Sequence, residues 1–188
     1  PQDMNSIPTG MFDSCRSLQS MVIPETVTAI GPQAFVRCSS LSHVEIPDTV
    51  TSIGDSAFAL CTSLQEIQLP PDLTALNSGL FDGSGLVSLV VPDKVTTISY
   101  TVFNSCDNLT SVLIPPSVTR IQPSAFQFCT PSNITIRCIL DSYAYQFALT
   151  WGFQVSLLGA EEVRQVSASV KGPDGSAIES GFTVSWYE

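Results

Sequence analysis

The chain has 188 residues, room for one domain or a domain and a fragment, and 44% of them are hydrophobic, ample for a continuous core. Seven Lys and Arg against 17 Asp and Glu give a formal charge of −10, which repels nucleic-acid phosphates and anionic lipid headgroups and so argues against both as partners. Only 13% of residues are charged, so the surface is built largely from Ser, Thr, Gln and Asn, as suits a secreted β-rich protein better than a cytosolic helical one. No apolar run is long enough to cross a bilayer, and no basic region followed by an apolar stretch opens the chain, so direct membrane insertion is not expected. The sequence opens part-way through a repeat and stops inside an alternating pattern at Tyr187-Glu188, and it reads as a piece of a longer protein.

From the amino end the dominant signal is self-similarity. Phe12, Phe35, Phe58, Phe81, Phe103 and Phe126 follow one another at 23, 23, 23, 22 and 23 residues. Three positions after each stands a Cys (15, 38, 61, 106, 129), with Ser84 as the exception. Pro24, Pro47, Pro70, Pro92 and Pro115 keep the same step, as do Thr28, Thr51, Thr74, Thr96 and Thr119 and several apolar columns, among them Val44/Ile67/Leu89/Val112 and Ile53/Leu76/Ile98/Ile121.

One unit, Leu41 to Cys61, shows what each repeat builds. Val44 and Ile46 alternate with His43 and Glu45, the period-two pattern of a half-buried strand. Pro47, lacking an amide hydrogen, closes it at a corner. Val50 to Ile53 is a second short β-branched segment, and Gly31 and Gly54 after two such segments are expected where positive φ is needed. Ser56 to Cys61 is too short for an independent helix and predicts one helical or 3₁₀ turn that drops Phe and Cys into the core. Such a unit cannot bury its apolar face alone, so units must stack, about 4.8 Å apart, with backbone bonds between neighbours. Asn77 to Gly85 breaks step: it lacks the Ala, the Cys and one residue before Leu86, and predicts a locally distorted coil.

The pattern LxxVxIPxxVTxIGxxAFxxC in Leu41 to Cys61 closely resembles the BspA-like class of bacterial leucine-rich repeats, over residues 5 to 138. The resemblance implies a β-rich, right-handed solenoid with two short strands and a short helical turn per repeat. It also implies a non-catalytic binding or adhesion role at a bacterial surface or in secreted form, with host or neighbouring-cell macromolecules as partners. Two alternatives stay open: a rigid structural spacer, or a targeting domain of a larger surface enzyme.

Beyond Cys129 the repeat decays. Ile134 and Ile136 alternate, Asp141 or Ser142 can cap a helix with Tyr143, Ala144, Phe147, Ala148 and Trp151 on one face, Gly152 suits its end, and Phe153, Val155 and Leu157 read as a closing strand. Residues 131–158 thus form a C-terminal cap of a solenoid over 1–158, the alternative being an aromatic ligand box of Tyr143, Tyr145, Phe147 and Trp151. Residues 159–162 read as a linker. Two alternating runs about Gly172 to Ser176 make 163–188 a β-hairpin that opens a truncated β-sandwich-like module, weakly similar to immunoglobulin-like modules of bacterial surface proteins.

Candidate chemistry is sparse. The column cysteines read as small buried hydrophobes in reduced form, because parallel side chains suit neither a disulfide nor a tetrahedral metal site. No metal and no cofactor is expected. Cys138, outside the column, is the one cysteine singled out for reactivity. His43, the sole imidazole, sits beside Glu45 with Glu66 at its column position, and reads as a surface hydrogen bond or ion pair rather than a catalytic base. The Thr column reads as a β-branched ladder, and two Asn-X-Thr sequons, at Asn108 and Asn133, carry little weight. Binding, if present, belongs on the outward positions of the first strand, an expected concave face. These are Val22, Glu45, Gln68, Val90 and Leu113 in one column and Ser20, His43, Glu66, Ser88 and Ser111 in the next. An exposed Val90/Leu113 patch suits a protein or peptide ligand, and the Glu45/Glu66 end favours a basic one.

Overall fold

The structure, a computed structural model, describes residues 4–159. The chain divides into two units, Pro1–Leu157 and Leu158–Glu188; the hairpin expected at 163–188 lies outside the described residues. A partial coil carrying Phe12 is followed by coil 1 (18–40), coil 2 (41–63), coil 3 (64–85), coil 4 (86–108), coil 5 (109–131) and the cap.

Except at the joint between coils 2 and 3, the coils contribute short strands that pair in parallel with the equivalent strand of the next. Ser20–Val22 pairs with His43–Glu45, and Ser88–Val90, Ser111–Leu113 and Thr135–Cys138 follow one another. On the second side Ser6–Ile7, Ala29–Ile30 and Ser52–Ile53 form one ladder, and Ala75–Leu76, Thr97–Ile98 and Arg120–Ile121 another. The register equals the repeat, Met21 opposite Val44 and Leu89 opposite Val112, so each inward side chain rests on its own counterpart and the core becomes a set of columns. Phe12, Phe35, Phe58, Phe81, Phe103 and Phe126 stack with ring centroids 5.1, 5.3, 6.1, 6.3 and 4.8 Å apart, a contact that adds roughly 0.5–1.5 kcal/mol per pair to the burial of the rings.

The third side of the coil is the turn that carries Phe and Cys. It takes regular 3₁₀ form only at Pro123–Phe126. Elsewhere the residues two before and two after each Phe adopt positive φ: Gln33 and Arg37, Ser56 and Leu60, Thr101 and Ser105. Left-handed backbone costs about 1–2 kcal/mol for such residues, and here it turns alternate amides outward along the stack. Gln33, Phe35 and Arg37 donate to the carbonyls of Asp55, Ala57 and Ala59 in the next coil, while Ala34, Val36 and Cys38 close turns within their own. Gly31 and Gly54 are absent from the positive-φ set. Their lack of a side chain serves close approach instead: a Cβ would lie 2.7 Å from the Thr9 amide nitrogen at Gly31 and 2.4 Å from the Pro32 nitrogen at Gly54.

The cysteine column does more than fill space. Cys38, Cys61, Cys106 and Cys129 each donate Sγ–H to the Phe carbonyl of the preceding coil, at 3.0–3.1 Å. The same carbonyl accepts the N–H of the residue three on in its own coil, as at Phe35 from Cys38 and at Phe81 from Ser84; both lone pairs of a core carbonyl are thereby used. Ser84, in place of a Cys, lies 3.6 Å from Cys106 Sγ. The Thr column hydrogen-bonds in the same direction, Thr28 to Asn5, Thr51 to Thr28 and Thr96 to Thr74.

Coil 3, one residue short, is distorted as its sequence predicts, and the distortion spreads around the whole turn. Gly85 N–H is drawn onto the Cys61 carbonyl at 3.1 Å, where a Cβ would stand 2.1 Å from the Thr62 oxygen. On the opposite sides the joint between coils 2 and 3 is open. Ser52–Ile53 and Ala75–Leu76 do not pair, and the Asn77 side-chain Nδ2 reaches the Ile53 carbonyl at 2.6 Å in place of a backbone amide. Residues 65–69 form no strand at all.

The cap closes the far end. Ser142 accepts the Tyr145 amide at the start of the helix Tyr143–Trp151, and Gly152 ends it at φ 75°. Phe147 and Phe153 pack against Phe126, the first tilted and the second edge-on, with centroids 6.0 and 5.0 Å away, and Gln154–Leu157 pairs with Thr135–Cys138. This contact gives the last coil an apolar partner where another coil would otherwise have to lie.

Candidate functional site

The outward positions of the first strands make one face, and its side chains differ from the alternation rule at one place that matters. Val22 and Val90 are 63% and 56% exposed, while Leu113 is only 5% exposed. The expected Val90/Leu113 patch is therefore corrected to Val90 alone. Leu113 lies in register between Val90 and Arg137, with a bonded strand on each side. Val90 has a bonded strand on one side only, since residues 65–69 are unpaired.

Ser20, His43, Glu45, Glu66, Gln68 and Ser88 are exposed, and Ser111 is half-buried. His43 Nε2 lies 3.1 Å from Glu45 Oε1, both side chains well exposed, a surface pair of the kind that contributes little stability. Glu66 sits in the next coil without an assigned partner on this face. An open cleft of about 520 Å³ runs across the start of three consecutive first strands, lined by Ser42, Ser63, Gln65, Glu66, Val87 and Ser88. The unpaired strand beside it was not foreseen at Gln65 to Leu69; its signal in the sequence is the residue missing some fifteen positions later.

Among the described residues no group of three or more His, Cys, Asp or Glu side chains converges. Cys138, singled out for reactivity, is fully buried, and burial pushes its thiol up, opposed by a hydrogen bond with Ser142. A thiol held protonated is a poor nucleophile, so that expectation is corrected. Burial also raises Cys38 and Cys129, and pushes Cys61 and Cys106 up to about 12. The aromatic residues of the cap do not form a box: Phe147 is consumed by the core, while Tyr143 and Trp151 are 45% and 48% exposed.

Parallel coils of 22 or 23 residues, a phenylalanine spine and a helical cap define a leucine-rich-repeat solenoid. A family model described as the BspA type leucine rich repeat region, in six copies, matches residues 1–109 and 30–148; the chain belongs to that family. No curated protein matches the sequence. Among solved structures, a leucine rich cell surface protein from Faecalibacterium prausnitzii A2-165 is 29% identical with a TM-score of 0.61, over 82% of this chain and 36% of that one. The chain therefore spans about a third of that relative. The T. pallidum leucine rich repeat protein has the same fold at 23% identity and a TM-score of 0.58, over 80% of this chain and 78% of its own. The pneumococcal vaccine antigen PcpA does so at 20% and 0.57, over 76% and 42%.

Proposed function

We propose that the chain is a non-catalytic, extracellular binding or adhesion module of a bacterial surface or secreted protein, and that it meets a protein partner on the first-strand face. The observation that carries this reading is the face itself: its outward positions mix exposed Val22 and Val90 with exposed Glu45, Glu66 and Gln68. Apolar groups interrupted by hydrogen-bonding and charged ones are what a protein partner can desolvate and still satisfy. Membership of the BspA type family and the 29% identical neighbour described as a cell surface protein support the location. In this reading residues 1–158 are the recognition unit, 159–162 a linker, and 163–188 the start of a separate module.

The test is saturable binding of the soluble chain to epithelial cell layers and to co-resident bacteria, with and without Val22→Asp/Val90→Asp. The wild type should bind, and the variant should lose at least about tenfold in affinity, or 1.4 kcal/mol, with its melting temperature unchanged. Wild-type protein that binds neither surface, or a variant that binds equally well, contradicts the proposal and leaves a spacer role.

A further inference from the structure

In the middle of the first-strand face the main chain has hydrogen-bonding groups that find no partner among the described residues. Through the regular coils the residue that ends the first strand donates its N–H to the next coil: Ile23 to Glu45, Val91 to Leu113, Ile114 to Arg137. The equivalent amides of Ile46 and Leu69 find no acceptor among the described residues, and the carbonyls of Gln68 and Val90 lack the donors they would receive. The N–H groups of Glu66, Ile67 and Gln68 are likewise unbonded. The segment Gln65 to Leu69 is thus without backbone bonds to either neighbouring coil among the described residues, apart from Val87 N–H to the Gln65 carbonyl.

We propose that this segment, Gln65 to Leu69, is the subsite at which the partner docks an extended basic segment, adding its backbone to the unpaired groups and setting Lys or Arg side chains against Glu45 and Glu66. The proposal rests on the first-strand face being the recognition surface and names what that surface holds. Free amides and carbonyls that alternate along an extended chain are complemented in spacing by another extended polypeptide, the mode in which a peptide adds a strand to a sheet edge. Charge selects the side chains it carries. Glu45 and Glu66 flank the joint on coils 2 and 3, both exposed, and the cleft beside them is lined by hydroxyls, an amide and a carboxylate, with no Lys or Arg. Such a lining attracts a cationic segment and repels an acidic one.

Space for the segment comes from how coils 2 and 3 are joined. Their turn sides stay tied, with Ser56, Phe58 and Leu60 amides on the carbonyls of Ser78, Leu80 and Asp82, whereas neither strand ladder crosses the joint. Widening the strand side therefore breaks no backbone bond between coils 2 and 3 there.

The experiment measures fluorescence anisotropy of two labelled probes with the intact chain. One is a capped peptide of alternating Lys and Thr; the other is the same peptide N-methylated at consecutive central residues, which keeps the charge and removes backbone donors. The parent should bind saturably and the methylated peptide at least about tenfold more weakly. Gln68→Pro, which deletes an amide that bonds nothing in the free protein, should weaken the parent by a similar factor without lowering the melting temperature. Glu45→Gln/Glu66→Gln, which leaves the backbone intact, should weaken both probes. Equal binding of the two probes, or no binding of the parent, overturns the subsite. If those arms fail while Val22→Asp/Val90→Asp still abolishes binding to cells, the face stands without this subsite; if cell binding is also untouched, both proposals fall.

Discussion

The two sides of coil 3 carry the same one-residue deletion in different ways. On the turn side the coil is tied to both neighbours: Phe58 N–H reaches Leu80, Phe81 N–H reaches Val102, and the residues two positions either side continue the ladder. On the strand sides the ladder to coil 2 is gone and that to coil 4 is reduced on the first-strand face to a single bond. Gly79 and Gly83, at φ 64° and 63°, occupy the left-handed positions that other coils fill with larger residues, and Gly85 lets the shortened turn close on Thr62. A closed coil cannot lose a residue at one corner without moving the others. The flexible corner absorbed the change in conformation, and the stiff strands show it as lost pairing.

The comparison can be broken most forcefully at the spine. Phe58→Ala removes a fully buried ring from between Phe35 and Phe81, and lateral bonding on the turn side resists collapse into the void. We expect a loss of about 3–5 kcal/mol, read as a lower urea midpoint. Ile67→Ala, half-buried on the unbonded strand, should cost only about 1–2 kcal/mol, because that strand can relax. Equal costs would mean that the joint between coils 2 and 3 is as rigid on its strand side as on its turn side.

The cysteine column sharpens the turn side. Cys106→Ala deletes a buried thiol and its bond to the Phe81 carbonyl, and should cost about 1–2 kcal/mol; Cys15→Ala, at an exposed position in this chain, should stay within about 0.5 kcal/mol of wild type. The raised thiols fix the sign of a pH effect. Cys61 and Cys106 stay protonated in the fold up to about 12, against an ordinary value of 9.0. The unfolded chain therefore releases these protons first, and their contribution to stability is fully present below pH 9 and declines as pH rises from there towards 12. Thermal melts should show the midpoint falling over that window, and falling less in Cys61→Ala/Cys106→Ala.

A smaller effect separates exposed from buried thiols. In the folded chain a thiol-specific aromatic disulfide reagent should modify Cys15 readily and leave Cys138 unreacted until denaturant is added, since only the former is exposed. Rapid modification of Cys138 would show that the cap does not cover it.

The architecture was legible because it rests on recurrence: the spacing of six phenylalanines predicts one stack, and Ser142 and Gly152 predict the ends of the capping helix. What failed depended on neighbours that no single repeat contains. Alternation assigns Leu113 an outward phase, yet it is buried where bonded strands lie on both sides, in register with Val90 and Arg137. Gly31 and Gly54 look like turn glycines, but their constraint is another coil's backbone. Cys138 lies outside the column in sequence and inside the core in space. The deleted residue near Gly83 forecast a distortion, without saying that its largest effect would fall on Gln65 to Leu69.

The most direct measurement is amide hydrogen exchange at the five equivalent strand-ending positions, Ile23, Ile46, Leu69, Val91 and Ile114. The account predicts slow exchange at Ile23, Val91 and Ile114, whose amides are bonded, and exchange faster by orders of magnitude at Ile46 and Leu69, whose amides are free. Uniform protection across all five would contradict it: the ladder would then be continuous, and coil 3 would offer a partner nothing that its neighbours do not.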